Sequence, residues 1–401
     1  MSLIDALAGL HDRRGARAQA PDAVRTQNEI VALLDVPEAA WAALSDRAAE
    51  PNAFYHPGWA RAVARHAEGK GGARALLVWD GPGRRRLIGL LPVVPAWRAL
   101  RLPVPVLVAW QAYAPLTTPL LDRERLDEAA RGLAMAAAGA GASALLLPAL
   151  AEDGPVAAAL RRAGAELGIA PRLLNRHRRA LLDATQEPDA ALAPLGAKKL
   201  KELRRQRNRL ADSGDVAFRV AATPQEAAAA LDSFLALEAA GWKGARGTAL
   251  ARKSGDAAFV REAVSALVAA GRAEMVTLAA GGRTVAAGIV LRHLRRAYFF
   301  KIAYDEQSAR ASPGVQLTVD ITRRLCADPA IDSADSIAVA GHPMIDHVWR
   351  ARLAVCDALL PVRREPLPFA AIAAAVAARH AAREFARHLF HRIRSLKGDH
   401  P

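Results

Sequence analysis

The chain is short of cysteine, of acidic side chains and of long apolar runs. Its two cysteines, Cys326 and Cys356, are too few and too far apart for a disulfide scaffold or a zinc site, and they suit a reducing compartment. The longest apolar run, Leu133 to Leu150, is mostly Ala and Gly and is broken at Pro148. It falls short of the roughly 20 strongly apolar residues that a membrane-spanning helix needs. Met1 to Leu10 carries Asp5 inside a short apolar patch and lacks the hydrophobic region of a signal peptide. A soluble, cytoplasmic protein is expected. Against 40 Asp and Glu stand 55 Lys and Arg, a formal charge of +15 and a pI near 10.7. Such an excess favours anionic partners: a phosphorylated cofactor, a nucleic acid, an acidic glycan or an anionic membrane surface.

What is present is enough for a large core. The 401 residues, 52% hydrophobic and 24% charged, exceed a usual single domain and predict two. The expected division is a loose N-terminus over residues 1–28, a first domain over 29–188, a second over 189–365 and a basic C-terminal helix over 366–401. In the first domain, helical segments Pro37–Ala49 and Pro57–Ala67 precede a strand-turn-strand, Ala75–Trp79 and Leu87–Val93. The aromatic residues Phe54, Tyr55 and Trp59 are read as core. An irregular apolar wall, Leu102–Leu121, leads to a helix, Arg123–Ala138, and then to strand Ala144–Leu147, helix Pro155–Leu167 and strand Arg179–Asp183.

The second domain opens on a basic helix carrying Lys198, Lys199, Lys201, Arg204, Arg205, Arg207 and Arg209, with Leu195, Leu200, Leu203 and Leu210 as its apolar stripe. Strand Val216–Val220, helices Gln225–Ala240 and Asp256–Ala270, and strands Met275–Ala279 and Val285–Leu291 follow. This last hairpin repeats the design of the first: an apolar strand, a Gly-containing turn with Arg, and an apolar strand with Gly in its middle. Next comes the stretch on which the chain centres. Tyr298 to Tyr304 is dense in aromatic and apolar residues and reads as a buried strand. Ser312-Pro313-Gly314 then opens a helix, with Ser as N-cap and Pro in the first turn. A strand feeding a free helix N-terminus can hold a phosphate. A strand Ser336–Val339 and Gly341-His342-Pro343 follow, and the tail Pro368–Leu396 is a helix expected to pack its apolar side on its own domain.

The basic helix, Glu238 with Gly241-Trp242-Lys243-Gly244, the strand ending Lys301-Ile302-Ala303-Tyr304, and Ser312-Pro313-Gly314 together resemble the GNAT superfamily of acyl-CoA N-acyltransferases. Within it they resemble the CelD-type branch associated with cellulose biosynthesis and its tandem-GNAT relatives of the FemAB type. The resemblance runs from Leu195 to about Trp349 and is looser upstream. It implies an α/β fold of two tandem GNAT-like domains, each a mixed, largely antiparallel sheet flanked by helices. It also implies acetyl-CoA or another acyl-CoA as co-substrate, no metal, and direct attack by an amine on the thioester. The acceptor is then a small-molecule or glycan-linked amine, in exopolysaccharide or envelope metabolism.

Carried over by that resemblance, Phe300, Lys301, Ile302 and Ala303 lie along the thioester arm, and Ser312, Gly314 and Val315 at the pyrophosphate. Ala311 and Gln316 replace the residues usual in the pyrophosphate motif, with Arg310 one residue out of register. Glu238, then Tyr304 and Asp335, are the candidates for proton transfer; Trp242, Lys243 and His342 are the candidates on the acceptor side. His342 and His347 are five apart, a spacing that does not share a helix face for a metal. Two other functions fit the charge: an aminoacyl-tRNA-dependent transferase of FemAB type, and a non-catalytic scaffold on anionic membrane or nucleic acid.

Overall fold

The computed structural model describes residues 26–396. Most of the loose segment expected over residues 1–28 therefore lies outside the described residues, and the first strand begins at Gln27. The strands of the first half are β1 Gln27–Ala32, β2 Arg74–Trp79, β3 Leu87–Pro95, β4 Val106–Ala109, β5 Leu120–Leu121, β6 Ala144–Ala151 and β7 Arg172–Asp183. Those of the second are β8 Val216–Val220, β9 Ala273–Ala280, β10 Arg283–His293, β11 Arg296–Tyr304, β12 Ser333–Asp335 and β13 Ala351–Pro361. All join one sheet in the order β1-β2-β3-β4-β6-β13-β7-β12-β11-β10-β9-β8, with β5 off this path against β3.

The two halves repeat. β1, β2, β3 and β4 run antiparallel to their neighbours, and β4 then pairs in parallel with β6. β8, β9, β10 and β11 do the same, ending in the parallel pair β11–β12. The hairpins agree in register: Val78 lies opposite Gly89, and Val276 opposite Gly288. A Cβ at Gly89 would meet Val78 Cγ2 at 3.1 Å and one at Gly288 would meet Val276 Cγ2 at 3.2 Å. Each glycine thus makes room for the same valine. β2 and β3 are buried almost throughout, as strands covered on both faces must be. The chain has the expected α/β architecture, two like units, each a mixed and largely antiparallel sheet flanked by helices.

The halves also exchange a strand. β13 lies between β6 and β7, antiparallel to both, while β7 reaches across to β12 through Leu181, Leu182 and Asp183. Neither β1 nor β13 is foreshadowed by the periodicity of the sequence, and β7 starts at Arg172, ahead of the Arg179 expected. An aromatic core spans the seam. Phe54 packs edge-on against Tyr298 at 5.2 Å, and Trp59 against Phe300 at 4.7 Å and Phe259 at 5.3 Å, geometries that aromatic quadrupoles favour. His293 at the end of β10 completes the join. Its Nδ1 accepts the Asn52 N–H at 2.8 Å, so its Nε2 carries the proton and faces Ser45 Oγ at 2.8 Å.

The tail helix, Pro366–Leu396, packs its apolar side through Phe369, Ile372 and Val376, whereas Phe385, farther along it, is 71% exposed. Among the described residues no helix is long and apolar enough to cross a membrane.

Candidate active site

β11 pairs with β10 along its whole length, with a bulge that leaves Phe300 unpaired between Phe299 and Lys301. Its other edge pairs with β12 for only three residues, Arg296, Ala297 and Tyr298. Beyond that point the strands part. The strand expected over Ser336–Val339 therefore sits earlier, at Ser333–Asp335, and residues 336–339 leave the sheet.

The cause is a bend at Ile337, which has φ 48°, a left-handed conformation that costs a β-branched residue free energy. Asp335 holds it. This fully buried carboxylate accepts the Ile337 N–H at 2.8 Å through Oδ1 and pairs with Arg179 at 2.5 Å through Oδ2. Asp335, expected to move protons, is instead locked in the framework that opens the cleft, with both oxygens committed.

The gap between the parted strands is a cavity of about 290 Å³, walled by Phe299, Phe300, Lys301 and Ile302 on one side and Ser336, Ile337 and Ala338 on the other, with Lys243, His342, Met344 and Ile345 completing it. A second cavity of about 460 Å³ adjoins it at Met344 and includes Lys199, Val315, His347 and Arg350. Val315 stands in the first turn of the helix Pro313–Cys326, where backbone N–H groups lack helical partners. The two cavities share Met344 as a wall, one lying at the edge of β11 and the other at a helix N-terminus.

The helix start differs from expectation in detail. Ser312 occupies the N-cap position but has φ 51° and ψ 53° and makes no side-chain cap. At Gly314 a side chain would be crowded: its Cβ would lie 3.1 Å from Tyr304 Cδ1, so the tyrosine ring would have to shift. Gln316 points away from the cleft and donates to Leu203 O at 2.7 Å, and Arg207 pairs with Asp320 at 2.7 Å. These two contacts fasten the basic helix, Ala197–Ala211, to Pro313–Cys326. Arg310 is exposed at the end of the preceding turn. Among the described residues no carboxylate pairs with Lys198, Lys201, Arg204, Arg205, Arg209 or Arg350.

Glu238 comes from the helix Pro224–Ala240, which is set by Pro in its first turn and a capping box between Thr223 and Glu226. The carboxylate is buried. Oε1 accepts from Lys301 Nζ at 3.1 Å and Lys243 Nζ at 3.3 Å, and Oε2 accepts the Leu250 N–H at 2.8 Å. Glu238, expected as a proton acceptor, spends its oxygens on two ammonium groups and a backbone amide. Burial, and then the charge of Lys301, push the Lys243 ammonium below the usual lysine range. Trp242 is 47% exposed and stacks under Arg246 at 5.1 Å. With Tyr304, Glu238 and Glu306 it edges a crevice of only about 20 Å³ beside the main cavity. His342 lines the main cavity, its Nδ1 accepting the Met344 N–H at 3.3 Å.

The structure thus gathers Phe300, Lys301, Ile302, Lys243 and His342 around one cavity and Val315 around the next; Ala303 and Tyr304 fall on the crevice. Arg350, Met344 and Ile337 were missed. Arg350 follows a stretch with no strand or helix pattern, and nothing in a sequence signals an isoleucine in the left-handed region. Among the described residues no group of three or more His, Cys, Asp or Glu is placed to hold a metal ion.

Residues 197–337 match the family model described as an acetyltransferase (GNAT) domain. No curated protein matches the chain in sequence. Among solved structures the chain is similar to the C-terminal domain assigned to a lysylphosphatidylglycerol synthetase from Agrobacterium fabrum, with 14% identity, 80% of this chain and 90% of that one covered, and a TM-score of 0.52. It is also similar to FemX, with 10% identity, 84% and 96% covered, and a TM-score of 0.51. At such identities the likeness is one of fold. The domain match, with the cleft, supports an acetyltransferase-type enzyme.

Proposed function

We propose that the protein is an acyl-CoA-dependent N-acyltransferase that moves an acyl group, acetyl in the simplest case, to an amine. The observation that carries this reading is the parting of β11 and β12 beside the Pro313–Cys326 helix start. The free edge of β11 offers unpaired backbone groups to an extended amide-bearing arm, as one strand does to another. Val315 and its neighbouring amides, with Lys199 and Arg350, suit a pyrophosphate. Transfer needs the amine nitrogen to bond to the thioester carbonyl carbon while the carbon–sulfur bond breaks. The amine's proton leaves and the departing thiolate takes one up. Holding both reactants in a half-buried cleft and aiming N–H groups at the developing oxyanion supply most of the rate. A glycan-linked amine of envelope polysaccharide metabolism is the acceptor setting that the CelD-type resemblance suggests.

Calorimetric titration with acetyl-CoA and longer acyl-CoAs, repeated on Gly314→Trp, tests the donor. Saturable binding that the variant loses supports the reading; no binding of any acyl-CoA sinks it. The exposed, unpaired cations of the basic helix favour a second donor, aminoacyl-tRNA, also in keeping with the FemX-like fold. That reading requires RNA binding that weakens steeply with salt and with loss of Lys198, Lys201 and Arg204.

A further inference from the structure

The 290 Å³ cavity is unbalanced in charge. One carboxylate, Glu238, faces two ammonium groups, Lys243 and Lys301, and both lysines line the cavity. The Glu238 side chain is 0% exposed and those of the lysines 23% and 22%. Among the described residues neither lysine has another carboxylate within ion-pair distance. Glu238 therefore neutralises one of them and the site keeps one positive charge. An uncompensated charge in a poorly hydrated place is costly; a counter-ion relieves it, as does loss of the proton, the direction in which burial pushes Lys243. Among the described residues no second carboxylate supplies that counter-ion; beyond Glu238, Lys243 Nζ has only the Ile302 carbonyl as acceptor, at 3.3 Å. Most of the remaining wall is apolar, including Phe299, Ile302, Ile337 and Met344, with Ser336 and His342 as its polar members.

We propose that the acceptor amine carries an oxyanion, a carboxylate or a phosphate monoester, attached to an apolar or sugar body, and that Lys243 and Lys301 select it. This rests on the reading of the cleft as an acyl-transfer site, in which the donor's arm follows the β11 edge and the amine meets it at the wall that carries Lys243 and Lys301. Glu238 is then a positioning residue: by sharing one oxygen between both ammonium groups it draws them to one point on the cavity wall. The shared oxygen sets the spacing at which two lysines can grip a single anion.

The test is calorimetric titration of the full chain, without CoA, against two pairs of amines: phenethylamine with phenylalanine, and glucosamine with glucosamine 6-phosphate. The oxyanion-bearing member of at least one pair is expected to bind about tenfold tighter than the amine that lacks the oxyanion, and the pair that shows it tells carboxylate from phosphate. Lys243→Met and Lys301→Met each leave a balanced site, and each should shrink the difference to less than about threefold, while Lys301→Arg keeps it. Glu238→Gln removes the counter-charge but keeps an oxygen that can accept from both ammonium groups, and should widen the difference, an outcome that mere damage to the cleft would not give. Equal binding within both pairs, no binding by any of the four, or a preference that survives both Lys→Met changes overturns the proposal. Because CoA is absent, failure of acyl-CoA to bind leaves an observed anion preference standing and sinks only the donor reading. Acyl-CoA binding without anion preference does the reverse.

Discussion

Each half of the sheet ends in a parallel strand pair, β4–β6 in the first and β11–β12 in the second, but only the second opens into a cleft. In the first half the chain after β4 returns to fill the corresponding gap. Leu116, Thr117 and Thr118 are fully buried there. The Thr117 N–H donates to Ala149 O at 3.2 Å, its hydroxyl donates to Pro148 O, and the Ala151 N–H reaches Thr118 Oγ1 at 3.4 Å. Asn52 locks this plug by donating to Leu116 O at 3.2 Å and Thr118 O at 2.8 Å. Where the first half spends its strand edge on its own chain, the second half keeps it free by bending at Ile337. One architecture thus supplies a brace in one copy and an open groove in the other.

The largest expected effect separates the two gaps directly. Gly314→Trp should weaken acyl-CoA binding by more than about a hundredfold, because even a Cβ there crowds Tyr304. Calorimetry on the variant, with melting temperature as a check on folding, reads this out. Acid should next open the seam between the halves. Burial lowers His293 to about 3 and His56 to about 4, so the folded protein binds fewer protons than the unfolded chain wherever a free imidazole is charged. Stability is full above the unfolded value of 6.5 and is lost as pH falls toward 4, by up to about 1.4 kcal/mol per pH unit for each group. Denaturant midpoints between those pH values measure it, and His293→Gln should flatten the slope.

Asn52→Ala should cost about 2–4 kcal/mol, since it strands buried carbonyls in the plug, yet leave acyl-CoA affinity within about twofold. A loss of affinity as large as that of Gly314→Trp would show that the plugged gap takes part in binding. Lys199→Ala and Arg350→Ala should each weaken acyl-CoA binding about three- to tenfold and reduce its salt dependence. Smallest is the response of anion preference to alkali. Lys243 faces Glu238, Lys301 and the His342 wall, and its lowered affinity for a proton means that its charge goes before that of an ordinary lysine. The preference for phenylalanine over phenethylamine should accordingly decline as pH rises toward the lysine range, and Lys243→Met should remove that decline.

Much of this contrast was legible in the residues. The aromatic strand Tyr298–Tyr304, the Pro-Gly helix start and the two Gly-bearing hairpins each follow from local chemistry, and the strict register match of Gly89 and Gly288 explains why the repeat could be read. What stayed hidden depends on distant partners. Glu238 looks like an ordinary helical carboxylate until Lys301, 63 residues on, is seen to share it. Asp335 looks catalytic until Arg179 and the Ile337 amide claim it. β13 has strand-like residues, but no local pattern reveals that it belongs beside β6.

That last placement reaches back to the birth of the molecule. The partners of β13 lie at residues 144–151 and 172–181, so a ribosome must pass Pro361 before the first half can close its sheet. Until then β6 and β7 present bare edges, the surfaces on which nascent proteins aggregate. A chain cut after Arg350 would carry every cleft residue and still lack the strand that joins its two halves.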